Sequence, residues 1–330
     1  MNENAREMEI RHKPFTVYGA YLLLAALCLF LPPFLPDYAQ SMIVKVFIYG
    51  IFALSLNLLF GYTGLFSLGH AAFFGVGAYT AAILISRLGI ESFWPGLAAS
   101  LIGAAICAVC FGIVALQVSG IYFLLVTLAM GQLLYSAAIK LRSLAGGSNG
   151  IVAIPYPNIG LGFTMTPGSF YYLVLVFFVV CVFLLYRVVN SPFGQILQGI
   201  RGDERRMRAL GYNTWRYKFT SVIIGALFAG VAGDLSMYQN GFVGPGHLDV
   251  LTSTSVMLMV ILGSDRVFWG PILGAALVVF LEYFASLYTP ERWPMILGGA
   301  FLLSVTFLRG GAALHLVRLW ERLRKRHGIA

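Results

Sequence analysis

Cys107 and Cys110 form a CxxC pair, a spacing that in a polar setting serves redox exchange or metal binding. Here Ile106, Ala108, Val109 and Phe111 surround them, with no second pair and no histidine nearby. Both thiols therefore read as small buried hydrophobes. Cys28 and Cys181 also lie in apolar segments, and no disulfide is expected. Gly146-Gly147-Ser148-Asn149-Gly150 satisfies G-x-S-x-G, but that pattern marks a nucleophile only on a strand-to-helix elbow with histidine and acid partners. It lies instead in a Gly- and Pro-rich connection. No G-x-x-x-x-G-K-[ST] loop, HExxH pair or Cys/His cluster occurs. The expectation is thus no catalytic residue, no metal or cofactor ligand, and no means of binding ATP within this chain.

Ionisable residues inside apolar segments mark ion or proton routes when they line one face. Lys45, His70, Asp234 and Glu282 are the few that occur, and they form no row, which argues against proton coupling. Asp234 lies near the end of its segment and is expected to be solvated. His70 closes the stretch Gly61-Tyr62-Thr63-Gly64-Leu65-Phe66-Ser67-Leu68-Gly69-His70, which places polar and helix-breaking residues at membrane depth. Irregular backbone is tolerated there where it is buried in protein or lines a cavity. Thr63, Gly64, Ser67, Gly69 and His70 are therefore candidates for a substrate pathway, the plainer reading being a tight turn with one hydrogen-bonded histidine.

The connection 190–217 has the sharper signals. Ser191-Pro192 reads as an N-cap followed by proline at the first helical position, with Ile196, Leu197 and Ile200 as an apolar stripe. After Gly202, Asp203 caps a second short helix, Glu204 complements its positive end, and Gly211 ends it. Met207 and Leu210 give that helix an apolar strip, while Arg205, Arg206 and Arg208 cover the rest. Such a helix suits either anionic lipid or a groove in a partner protein, and its residues alone leave both open.

The elements that hold these groups follow from composition. Of 330 residues, 59% are hydrophobic and 11% charged, against roughly 25% charged in a soluble globule. Mean hydropathy is +0.84. Too few charges exist to coat a water-facing surface, so the fold class is an all-α polytopic membrane protein, one helical bundle with broken helices. Segments of about 20 apolar residues lie near 17–36, 43–61, 67–86, 96–117, 119–139, 170–189, 217–238, 252–264, 267–288 and 294–308. The third and fifth are interrupted by glycine, and the eighth is short. Residues 17–36 read as a retained first span, not a signal peptide. The expected layout is a segment 1–16, a transmembrane unit 17–308 and a basic tail 309–330.

The net charge of +9 is scattered through short polar segments instead of forming a nucleic-acid footprint. Alternate connections hold most of it: Arg6, Arg11 and Lys13, then Arg187 through Lys218, then Arg266 and the tail. By the positive-inside rule both termini and the 190–217 connection face the cytoplasm. Small residues at Gly225, Ala229 and Gly233, and at Gly270 and Gly274, provide seams where helices approach closely.

Taken together these segments resemble the permease subunits of ABC importers for branched-chain amino acids, the LivM-like family. The resemblance covers roughly 40–308 and rests on several motifs in order. They are the run from Asn57 to Tyr79, Gly120-Ile121-Tyr122-Phe123 with Thr127-Leu128-Ala129, Gly147-Ser148-Asn149-Gly150, Ser191-Pro192-Phe193-Gly194, Asp203-Glu204-Arg205 with Ala209-Leu210-Gly211, and Gly270-Pro271-Ile272-Leu273-Gly274. It implies that Asp203, Glu204, Arg205, Arg206, Met207, Leu210 and Gly211 couple the spans to a separate ATPase. It implies further partners: a homologous permease subunit, two ABC ATPase subunits and an external substrate-binding protein, in a bacterial-type inner membrane. Members also handle urea, short amides and aromatic acids. Two departures bear on the pathway: Asp234 stands where relatives have a small or apolar residue, and Leu262-Gly263-Ser264-Asp265-Arg266-Val267 stands where they have a Gly-rich run. The competing class is a self-sufficient secondary transporter or facilitator whose arginine-rich loop meets only lipid.

Overall fold

The computed structural model describes residues 35–90, 92–159, 165–288 and the positions 295, 298, 299 and 311. The described residues are helical with short connections. Helix α1 (Asp37–Asn57) continues into a π-helical turn, Leu58–Thr63. It is followed by α2 (His70–Leu88), α3 (Phe93–Ala115), α4 (Ile121–Lys140) and α5 (Pro167–Val189). Two short helices, α6 (Pro192–Gly202) and α7 (Glu204–Ala209), precede α8 (Thr214–Asn240), α9 (Val250–Gly263) and α10 (Gly270–Tyr288).

Six of these are long and apolar enough to cross a membrane. With the shorter α9 and α10 they account for eight of the ten expected segments; the other two, 17–36 and 294–308, lie outside the described residues save for positions 35, 36, 295, 298 and 299. Contrary to expectation, α2 and α4 run without interruption. Their glycines make room for neighbours instead. A side chain at Gly131 would crowd Gly69, and Gly120 sits just before α4 begins.

Burial sorts the helices into layers. In their most apolar stretch 72% of α1, 61% of α2 and 67% of α8 is buried, against 22% of α4 and 33% each of α3 and α5. The first three form the centre: α8 packs on both α1 and α2, which meet each other through Phe52, His70 and Phe74, with α10 and α5 also against α1. The outer helices present Ile102, Ile106, Leu125, Leu133, Val176 and Phe183 outward, a surface suited to lipid or to another hydrophobic subunit and not to water. The α2–α8 contact depends on the expected small-residue seam: any side chain at Gly233 would collide with the Phe74 carbonyl.

Two isolated bridges, Ser92 with Asn158 and Ile151 with Val243, tie the 140–166 connection to the start of α3 and the end of α8. Residues 141–159 of that connection therefore lie at one end of the bundle. The other end is formed by the end of α1, by α6 and α7, and by the α9–α10 turn.

Candidate functional site

The α6–α7 platform joins α5 to α8 and is built from local chemistry. Ser191 and Pro192 take the N-cap and first helical positions of α6 as expected, but the Ser191 side chain makes no capping hydrogen bond. Its hydroxyl donates back to the Val188 carbonyl at 2.6 Å, so the preceding helix captures it. Leu197 and Ile200 are buried beneath α6. At α7 the expected cap is present. Asp203 is extended, and its Oδ1 accepts from the backbone of Arg205 at 2.9 Å and Arg206 at 3.1 Å. Gly211, at φ +89°, takes the left-handed turn that ends the helix.

No residue of α7 is buried, so the helix is held from its ends and one side. Glu204 does most of this. Its Oε2 accepts from the Lys218 ammonium at 2.5 Å and its Oε1 from the Thr214 hydroxyl at 3.0 Å, both on α8. Arg208 stands 3.7 Å away along the same helix. Partial burial pushes the Glu204 carboxyl up, but Lys218, Thr214 and Arg208 outweigh it and hold it below its ordinary value. Met207 folds back towards Gly199 of α6. Leu210, in contrast, is 66% exposed, so the two do not make one packed strip. Arg205, Arg206, Arg208 and Leu210 face outward beside Tyr212 and Trp215. The result is a cationic surface with apolar anchors, rigidly tied to α8.

The second group sits where α1 ends and α2 begins. Thr63 is buried and its hydroxyl donates to the Leu58 carbonyl at 2.8 Å, closing the π turn. Gly64 is left-handed at φ +77°, and its bare Cα lies against the aliphatic stem of Arg201. Ser67 is buried and borders a cavity of about 10 Å³, the room of one water. Leu59, Phe73, Phe111, Phe123 and Thr127 share that cavity wall. Gly69 packs directly on the Thr127 carbonyl of α4. His70 is fully buried, with Nε2 2.9 Å from Ser55 Oγ and its ring stacked on Phe52 at 5.5 Å. The structure thus brings Thr63 and Gly64 to the platform and places Ser67, Gly69 and His70 deeper, among α1, α4 and α8, with all side chains turned inward.

Asp234 requires a correction. It is fully buried, not solvated, because α8 runs on to Asn240 and α3 covers it near Gly96. Lys45 and Glu282, far apart in sequence, form an ion pair at 3.2 Å between α1 and α10. Two functional candidates were missed at the level of sequence. Arg201 figured only as one charge among several, and Asp265 only as a departure from a Gly-rich run. They pair at 2.6 Å, and Arg201 Nη1 also donates to the Gly61 carbonyl. An arginine just before a capped helix facing an acid before a span was the available signal, but nothing in sequence shows that the two meet.

A profile of the family described as "Branched-chain amino acid transport system / permease component" matches residues 38–306. The chain belongs to this permease family. Among relatives of the permease is the LivM protein of a high-affinity branched-chain amino acid transport system in Escherichia coli (strain K12), 30% identical over 306 residues, 86% of this chain and 71% of that one. LivM of Salmonella typhimurium is 32% identical over 279 residues, spanning 78% of the permease and 65% of the relative. The LivH permease of E. coli K12 is 22% identical over 278 residues. No solved structure matches. The family consists of transport subunits, not enzymes, and the fold is its polytopic helical one.

Proposed function

We propose that the chain is one of two homologous membrane subunits of an ATP-driven importer for branched-chain or related hydrophobic amino acids. It would work with two separate ATPase subunits and an external substrate-binding protein. In this reading 203–211 faces the cytoplasm, as do both termini, and receives the ATPases. The observation that carries the proposal is the α6–α7 platform: a six-residue helix with no buried side chain, capped by Asp203 and clamped to α8 through Glu204. A helix free to interact only with lipid has no need of four hydrogen bonds to its Asp203 and Glu204 carboxylates. A lever that must transmit a push to a 27-residue span does. The basic and apolar outward residues supply the partner's footing.

The broken segment 63–70, with Thr63, Gly64, Ser67, Gly69 and His70, is assigned to the pathway wall. Thr63 and His70 Nε2 have internal partners in this conformation, whereas His70 Nδ1 is buried without one, and the substrate sees mostly apolar and small residues. Selection among substrates then rests mainly with the external binding protein. The likeness to LivM at 30% identity supports the substrate class. Reconstitution tests the whole: leucine uptake into proteoliposomes requires the partners and ATP. Uptake by this chain alone would refute the proposal in favour of a self-sufficient facilitator.

A further inference from the structure

Four unusual local features converge outside the 203–211 segment. The end of α1 is a π turn over Leu58–Thr63, a distortion that leaves helix carbonyls without regular partners and recurs at functional sites. Gly64 follows in the left-handed region, bare against Arg201. Ser264, at the end of α9, has φ +122°, a conformation that residues with a side chain rarely adopt and that persists where surroundings enforce it. Between these lies the Arg201 guanidinium. One nitrogen donates to the Gly61 carbonyl, and the other to Asp265 Oδ2 at 2.6 Å. Gly61 has no side chain for a reason: a Cβ there would meet Asn57 and, at 2.7 Å, the Asp265 backbone carbonyl.

An isolated, partly exposed ion pair contributes little. This one differs in what it joins. Arg201 belongs to α6, Gly61 to the broken end of α1, and Asp265 to the α9–α10 turn, so one planar fork ties three elements. The fork geometry suits arginine and not lysine, because two parallel donors must reach two fixed acceptors. We infer that Arg201 is a positioning residue for transport, a latch through which displacement of the α6–α7 platform reaches α1 and the α9–α10 turn. In the state seen here the latch is closed. Moving the platform breaks it, freeing the π turn and the strained Ser264 to rearrange, two elements that packed interfaces can hold in alternative arrangements.

The inference rests on the ATPase-coupled reading above, and its test separates the two. The wild-type chain is co-expressed with its ATPase, homologous permease and binding-protein subunits and reconstituted, and ATP hydrolysis, subunit association and radiolabelled leucine uptake are measured together. Arg201→Ala and Asp265→Ala are expected to associate with the ATPases as wild type does. Leucine moved per ATP should fall about tenfold, the factor that losing one charge-assisted hydrogen bond produces. Arg201→Lys should recover only part. The exchange Arg201→Asp with Asp265→Arg restores the ion pair but not the donation to the Gly61 carbonyl, which a carboxylate cannot make, so uptake per ATP should exceed that of either single variant yet stay below wild type. Wild-type uptake per ATP in the single variants would overturn the latch while leaving ATPase coupling intact. A wild-type chain that never associates with the ATPases would instead remove both. Should Asp265→Ala fail to assemble, Asp265→Asn keeps the shape and predicts a smaller loss of the same sign, with wild-type behaviour again overturning the latch.

Discussion

Glu204→Gln should loosen α7 from α8 without unfolding the bundle. The Lys218 side chain is 13% exposed and that of Glu204 28%, which places the pair between an exposed ion pair, worth at most about 1 kcal/mol, and a buried one, where removing one partner costs about 3–5 kcal/mol. A loss of about 2 kcal/mol follows, or roughly a thirtyfold rise in the detached population. With no buried side chain of its own, α7 then keeps the Asp203 cap, the Met207 contact and the neutral bond that a glutamine oxygen can still accept from Thr214. Hydrogen exchange reads this directly. The amides of Leu210 and Gly211, bonded to the Arg206 and Arg208 carbonyls, should lose about thirtyfold protection. Lys218→Met should cost as much, and the two together should cost less than their sum, since neither charge is then left unpaired. Glu204 is held below its ordinary value of 4.5. Its contribution is therefore fully present above the unfolded value and is lost as pH falls through the folded one. Protection should hold from neutral to about pH 5 and fade only below that. Unchanged protection in both single variants would refute the argument that this pair positions the platform.

Three further outcomes follow from packing. Gly233→Val drives a side chain into the Phe74 carbonyl, and should destabilise the detergent-solubilised protein by about 2 kcal/mol; unaltered thermal unfolding would mean that α2 and α8 do not meet there. Ser264→Gly relieves a backbone at φ +122° and should raise stability by about 1 kcal/mol, with a lowered melting temperature counting against it. Ser55→Ala leaves His70 Nε2 buried without its 2.9 Å partner and should cost about 1–3 kcal/mol in denaturant titration; a neutral result would show that the two rings and hydroxyl do not depend on one another.

Much of this architecture was legible because membranes impose simple demands. Apolar runs of spanning length located every described long helix, and the break after α1 was visible as Gly61, Gly64 and Gly69 within seemingly continuous apolar sequence. Asp203 and Gly211 announced α7 because caps and left-handed stops are local chemistry. Ser191 stands at the N-cap as read, but its hydroxyl is taken by the Val188 carbonyl one turn back in place of the cap bond, a competition that sequence does not display. Asp234 seemed solvated because distance along a helix was used for depth, whereas α3 packs over it. Arg201 with Asp265, and Lys45 with Glu282, are separated by 64 and 237 positions. Only tertiary structure brings such residues together, and no periodicity or spacing encodes the meeting.

The account depends most on where the platform lies and what covers it. With the four native cysteines replaced by alanine, a single cysteine in place of the exposed Arg206 can be challenged with a membrane-impermeant maleimide in sealed right-side-out and inverted vesicles. The expected result is labelling only in inverted vesicles, with the ATPase subunits protecting the site when bound. Labelling from the outer side, or labelling in inverted vesicles that the ATPases leave untouched, would contradict the coupling role of this helix.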